Sequence, residues 1–289
     1  MVRAKKHFGQ NFLQDQNVLN KIIQAIPKET QPNSNGRVVE IGPGLGDLTR
    51  WLLKSGYNTI SYEIDSELIS NLENKFKNEA KKGHFKLINE DANLVWHKQG
   101  SLRGEPYILV ANLPYYVATK MILNALQDGF CAGVVAMIQR EVAIKFSSSG
   151  GSSEFSSLGV LANLNGSCEL LFDVPPECFS PTPKVVSSVL RIVKSKRLIG
   201  EYGVFPTLSE YDKFKNYLKI CFSAPRKTLF KNLTTGYDKD MVAGIFNELN
   251  LVQNIRPHES NVALYLKIYN QIKAKNERRK SDNQTEQEQ

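Results

Sequence analysis

The chain has 289 residues, of which 41% are hydrophobic and 23% charged, and it carries a formal net charge of +8. That balance excludes a fibrous or wholly disordered polymer, and the length accommodates one α/β domain plus a smaller companion. The longest nearly uncharged apolar stretch, residues 129–138, falls short of the ~18 to 20 residues of a membrane helix, and residues 1–10 lack a signal-peptide apolar segment; the expectation is a cytoplasmic protein with no membrane contact.

In chain order, a basic arm over residues 1–14 leads into a helix whose apolar face is Val18, Leu19, Ile22, Ile23 and Ile26, stopped by Pro27. Short β-rich runs follow at 37–41, 59–63, 85–88, 107–111 and 134–138. They alternate with segments of helical period, such as Leu48, Trp51 and Leu52 before Gly56, or Leu68, Leu72 and Phe76. Such alternation predicts an α/β fold with a parallel sheet. Residues 147–157, reading SSSGGSSEFSS, have the composition of a mobile loop and are expected at the rim of an active site. Runs at 168–174 and 186–193, joined by a proline-rich link, complete seven strands, mostly parallel. Beyond Lys196 the apolar positions (Phe214, Leu218, Phe222; Val262, Leu266, Tyr269) recur at helical spacing. The expected division is an α/β domain with a basic arm over 1–200, a small all-helical domain over 201–275, and a disordered polar tail over 276–289. Cys131, Cys168, Cys178 and Cys221 show no Cys-x-x-Cys spacing and no neighbouring histidines, so reduced thiols and no metal site are expected.

The first strand runs into Glu40-Ile41-Gly42-Pro43-Gly44-Leu45-Gly46 and then a helix. Gly42, Gly44 and Gly46 permit a sharp turn and close approach of backbone to a ligand at the carboxyl edge of a parallel strand. The spacing is Gly-x-Gly-x-Gly, not that of dinucleotide binders. Glu63 closes the second strand, where a carboxylate accepts ribose hydroxyls. Asp91, with Ala92 after it, follows the third, where it could accept from an adenine amine. Together they indicate a nucleoside-containing cofactor. Taken singly, the glycines also suit an ordinary tight turn, Glu63 a solvated strand end, and Asp91 a helix N-cap.

After the fourth strand comes Asn112-Leu113-Pro114-Tyr115, which resembles the Asn-Pro-Pro-Tyr signature of amino-methyltransferases. An adenine amine is a poor nucleophile because its lone pair is delocalised into the ring. Two acceptors, the Asn112 side-chain oxygen and the Leu113 carbonyl, favour a pyramidal nitrogen whose lone pair faces an electrophilic methyl group. Pro114 fixes the backbone and Tyr115 offers a flat face to an extruded base. Phe179 suits either the opposite face of that base or the core.

Phe8-Gly9-Gln10-Asn11-Phe12-Leu13, the 40–46 motif, Glu63, Asp91, residues 112–115 and residues 179–189 together resemble, collinearly over residues 5–193, the small-subunit ribosomal RNA adenine dimethyltransferase family. The resemblance implies a class I methyltransferase (Rossmann-like) sheet with a helical C-terminal domain and S-adenosyl-L-methionine as cofactor. It implies dimethylation at N6 of two adjacent adenosines in the hairpin loop near the 3′ end of 16S rRNA, within an immature 30S subunit, by a monomer. It adds Asn11 and Leu13 to the cofactor contacts Gly42, Gly44, Gly46, Glu63, Asp91, Ala92 and Asn112. The chain departs from the family's pattern at Leu161-Ala162-Asn163-Leu164-Asn165, where aromatics are common, and in the residues before the basic pair Arg226-Lys227. The alternatives are a large-subunit rRNA adenine methyltransferase of the antibiotic-resistance kind and a non-catalytic RNA-binding factor on the same fold. The positive charge favours a polyanion, with Lys5, Lys6, Arg140, Lys145, Lys184, Arg226, Lys227 and Lys231 as phosphate contacts; Lys227 and Lys231 are expected on one helical face.

Overall fold

The structure, a computed structural model, describes residues 9–28 and 36–287, with side chains as far as residue 278. The expected roles of Lys5, Lys6 and Phe8 lie outside the described residues. A two-residue strand β1 (Phe12–Leu13) precedes helix α1 (Gln16–Gln24). The Asp15 carboxylate caps that helix by accepting from the N–H groups of Asn17 and Val18, both at 2.9 Å. Its period then carries Val18, Leu19 and Ile22 into the core.

Strands and helices alternate thereafter: β2 (Arg37–Ile41), α2 (Asp47–Lys54), β3 (Asn58–Tyr62), α3 (Ser66–Lys75), α4 (Lys77–Lys81), β4 (Phe85–Ile88), α5 (Ala92–Gln99), β5 (Tyr107–Asn112) and α6 (Tyr115–Gln127). Then come β6 (Cys131–Gln139), α7 (Arg140–Ser147), α8 (Ser157–Ala162), β7 (Gly166–Val174), β8 (Phe179–Ser180) and β9 (Ser187–Lys194). The main sheet is seven-stranded in the order β4-β3-β2-β5-β6-β9-β7. β9 alone runs antiparallel to its neighbours. Each expected run is found as a strand, and the central ones are apolar throughout because helices cover both faces: in β5, Tyr107 to Val110 have no solvent exposure.

From β2 the chain winds outward to β3 and β4, whereas β5 flanks β2 on its other side. The order therefore reverses between β2 and β5, and a crevice opens at their carboxyl ends, where open α/β sheets bind ligands. The glycine motif follows β2, and Asn112 ends β5, so topology alone brings both to one crevice.

The C-terminal region is helical, with α9 (Leu208–Cys221), α10 (Leu229–Leu233), α11 (Lys239–Glu248) and α12 (Val262–Gln287). Phe214 lies at its centre, its ring 5.0 Å from Phe205 and 5.1 Å from Tyr269. No described helix is long and apolar enough to cross a membrane.

Two expectations differ from the structure. The polar segment from 276 does not leave the helix: α12 continues as backbone helix to Gln287, through a sequence rich in Lys, Arg, Glu and Gln, which favour helix. The serine-glycine segment does not hang free at a rim. The N–H of Gly151 donates to the carbonyl of His258 at 2.7 Å, and Gly150 approaches the Ser260 backbone so closely that a Cβ would overlap it. Phe155 is 3% exposed and packs near Phe222 and Tyr265. Composition describes the polar residues, but a single buried phenylalanine decides where the segment lies.

If that ring anchors the segment, Phe155→Ala should lower unfolding free energy by about 3–5 kcal/mol, the range for a buried aromatic lost from a core. Urea denaturation measures this; a free loop would give a change near zero.

Candidate active site

The crevice is lined on one side by the glycine motif and Glu63, on the other by residues 112–117, and from above by residues 9–13 of the arm. Asp91 and Ala92 close a further wall. Of the sequence-selected cofactor residues, Asn11, Leu13, Gly42, Gly44, Glu63, Asp91, Ala92 and Asn112 all line it.

The three glycines have different reasons to be glycine. Gly42 has φ of +68°, and a Cβ there would meet nothing within 4 Å. Its backbone therefore faces open crevice, where a side chain would fill the space. A Cβ on Gly44 would stand 2.9 Å from the Phe12 ring, so this position lets the arm lie on the loop. A Cβ on Gly46 would stand 2.7 Å from Phe76 and 3.0 Å from Leu72. Gly46 does not line the crevice; contrary to expectation, it serves the close packing of the loop against α3.

Below the loop, Glu40 is 1% exposed. One of its oxygens, Oε2, accepts the hydroxyls of Thr49 and Ser61, both at 2.6 Å, and its Oε1 has no partner. Burial, opposed by those two donors, pushes this carboxyl up to about 7. Glu63 is 4% exposed. It accepts from the N–H groups of Asp65 at 2.9 Å and Gly44 at 3.2 Å. Burial lifts it above the ordinary carboxylate range, against the pull of those N–H groups. Asp91 does cap α5, its Oδ1 accepting from the Asn93 N–H at 2.8 Å, and it also borders the crevice. The two roles are compatible because capping uses one oxygen.

The arm crosses the crevice and is tied on both sides. Gln10 donates to Asp65 at 3.0 Å beyond β3. The Asn112 Nδ2 donates to the Asn11 carbonyl at 2.9 Å at the end of β5. β1 pairs antiparallel with β8, Leu13 opposite Phe179, and Gln14 donates to the Cys178 carbonyl at 3.0 Å. One Nδ2 hydrogen is thereby engaged by the arm, and the Asn112 Oδ1 accepts no hydrogen bond among the described residues. The Leu113 carbonyl accepts no hydrogen bond among the described residues, while the Leu113 side chain is buried and its N–H donates to Met137 at 3.1 Å.

Tyr115 opens α6 with its hydroxyl 2.8 Å from the Ser187 Oγ of β9. Phe179 is placed otherwise than as a cover for a substrate base: it is 4% exposed and packs with Leu13 and Val189 in the core, pinned there by the β1–β8 pairing. Among the cations, Arg140 is ion-paired with Asp173 at 2.9 Å, and Lys145 and Lys184 are exposed. Arg226, Lys227 and Lys231 share one shallow groove with Arg256. The helical face proposed for two of them changes, since α10 begins at Leu229 with Thr228 as its cap, which leaves Lys227 before the helix.

Glu40, Gln10 and Ser187 lie in the motifs quoted from the sequence but carry no role there, and Tyr116 and Arg256 are not singled out by it. Glu40 was legible as a carboxylate in an apolar central strand; the others depend on long-range contacts. Among the described residues no group of three or more His, Cys, Asp and Glu side chains is gathered as metal ligands are.

The profile of the ribosomal RNA adenine dimethylase family matches residues 1–274. The ribosomal RNA small subunit methyltransferase A of Campylobacter curvus is 60% identical over 280 residues, covering 97% of this chain and 96% of that protein. The chain belongs to the ribosomal RNA adenine dimethylase family. Among solved structures, a dimethyladenosine transferase from Plasmodium falciparum superposes with a TM-score of 0.70 at 23% identity, over 89% of this chain and 95% of that one. The 23S rRNA methyltransferase ErmE gives 0.66 at 22% identity, over 91% and 100%. At these identities the likeness is one of fold: a class I methyltransferase sheet with a helical C-terminal domain.

The buried Glu40 gives the folded chain a pH signature. Between 4.5, its ordinary value, and about 7 the folded chain holds a proton that the unfolded chain has released. Its contribution to stability is therefore complete below the lower value and lost as pH rises through the upper one. At about 1.36 kcal/mol per pH unit, the loss is roughly 3 kcal/mol. Urea midpoints near pH 5 and pH 8 should show the wild type losing stability relative to Glu40→Gln; parallel behaviour would contradict the assignment.

Proposed function

We propose that this chain transfers methyl groups from S-adenosylmethionine to N6 of adenosines in 16S rRNA, dimethylating two adjacent adenosines in the 3′-terminal hairpin loop. It does so as a cytoplasmic monomer acting on an immature small subunit. The family and the small-subunit name of a relative 60% identical support this substrate over the large-subunit alternative. The observation that carries the chemistry is the Asn112 amide, held at the crevice by the arm with Nδ2 already spent on Asn11.

The crevice suits the cofactor. Gly42 leaves room at the backbone, the buried Glu63 is an acceptor for ribose hydroxyls, and Asp91 keeps a carboxylate oxygen beside the wall where an adenine amine would lie. Asn11, Leu13 and Ala92 supply the remaining walls. When bound, S-adenosylmethionine supplies an electrophilic methyl group on a sulfonium sulfur.

A target adenine reaches this depth only when extruded from its strand. Tyr115, its hydroxyl tethered to Ser187, holds a ring against which that base stacks. The Asn112 Oδ1 and the Leu113 carbonyl then accept the two N6 hydrogens. As the nitrogen attacks, positive charge develops on it, and two fixed acceptors stabilise that charge without reorganising. The alkylated nitrogen is strongly acidic, so it gives its proton to water at the crevice mouth without a strong base in the site. A monomethylated amine keeps one N–H, which either acceptor can take, so the same pair serves the second transfer. Pro114 holds the backbone of the pair in register.

We read residues 1–200 as the catalytic domain with its arm, and 201–275 as the RNA-binding helical domain. Arg226, Lys227 and Lys231, with Arg256, form the phosphate-binding groove on the latter; Lys5, Lys6, Arg140, Lys145 and Lys184 add positive charge around the former.

Asn112→Ala should lower methyl transfer by at least the ~10²–10³-fold typical of removing one preorganised hydrogen-bonding group at developing charge. Labelled cofactor and undermethylated small subunits measure it. Binding to those subunits should persist, because phosphate contacts dominate it; transfer at near the wild-type rate would overturn the proposal.

A further inference from the structure

Among the described residues the exposed aromatic side chains are Tyr116, Phe130 and Tyr202, and of these Tyr116 alone lines the crevice. It is 66% exposed. Tyr116 follows Tyr115 at the start of α6, and successive helical side chains diverge by about 100°. Tyr115 turns inward, half-buried and tethered through its hydroxyl, while Tyr116 stands at the mouth. One edge of its ring meets the arm: a Cβ on Gly9 would lie 3.4 Å from Cδ1 and 3.5 Å from Cε1 of that ring. Gly9, at φ of +62°, thus allows the arm to brace the ring from the side. The Tyr116 hydroxyl has no hydrogen-bond partner among the described residues.

We infer that Tyr116 is a substrate-stacking residue that receives the nucleobase next to the target adenosine. This rests on the reading of the crevice as an adenosine N6 methylation site. Extrusion of one base bares the π-face of its neighbour, which has lost its stacking partner and must still cross the mouth as the strand enters. An exposed ring braced at one edge substitutes for the missing base without sequence discrimination. Because the two target adenosines are adjacent, the neighbour is in turn the other substrate.

The test measures KM for undermethylated small subunits with wild type and with Tyr116→Ala, Tyr116→Leu, Tyr116→Phe and Tyr116→Trp, at saturating cofactor. Loss of one base–aromatic stack should raise KM on the order of tenfold in the Ala and Leu variants. Phe and Trp should restore it, since both keep a π-face. A Leu variant that matches Phe would mean bulk suffices, a Phe variant as weak as Ala would mean the hydroxyl acts, and an unchanged Ala variant would mean no contact; each overturns the inference. If the wild type itself transfers no methyl group to the subunits, the reading of the crevice fails and the inference falls with it. Activity in the wild type with KM unmoved in the Ala variant sinks the inference alone.

Discussion

The Asn11 carbonyl accepts the Nδ2–H of Asn112 at 2.9 Å, and the site depends on this contact in two ways. It holds the donor end of a nearly symmetric amide against the arm, which is the orientation that the proposed role of Asn112 as an acceptor requires. It also ties the arm to the end of a central strand, across a separation of 101 residues in the chain. Around that tie the arm is held by Gln10 on Asp65 and by strand pairing with Phe179 and Ser180. The result is a crevice roofed by its own N-terminal segment, and a dry, fixed environment is what an acceptor pair needs to act on developing charge.

The floor of the crevice has a different logic. Two buried carboxyls lie beneath and beside one glycine loop, and burial raises both above the ordinary range. Desolvation is the first cause for both, and the charge of Glu63 adds only a lesser push to Glu40. Glu40 is satisfied by two hydroxyls and behaves as an anchor for β2, β3 and α2. Glu63 is satisfied by backbone N–H groups and remains on the wall, where ligand hydroxyls can reach it. Glu40, inside β2, thus ties two strands to a helix, whereas Glu63, one residue past β3, is held by the loop beside it.

Much of this was legible in the sequence because the fold is built from periodic elements. Apolar runs identified the strands of the sheet, and the motifs fell at their carboxyl ends, which topology gathers into one place. Contacts between distant segments were not legible. β1 and β8 are two residues each, too short to show a period, yet their pairing is what buries Phe179 in the core. Gly46 was indistinguishable by spacing from Gly42, although one packs against Phe76 and the other faces the crevice. Phe155 was hidden among serines and glycines, and no local pattern says that one aromatic in a polar segment will reach Phe222 and Tyr265.

The orientation imposed on residue 112 can be tested by Asn112→Asp, which keeps an acceptor of the same shape and loses the donor to Asn11. Single-turnover transfer to undermethylated small subunits is the measurement. A large fall in rate is expected, since a carboxylate oxygen would oppose the Asn11 carbonyl and the side chain would turn or the arm would lift. A rate close to wild type would show that an acceptor alone suffices, and that the bond to the arm has no part in catalysis.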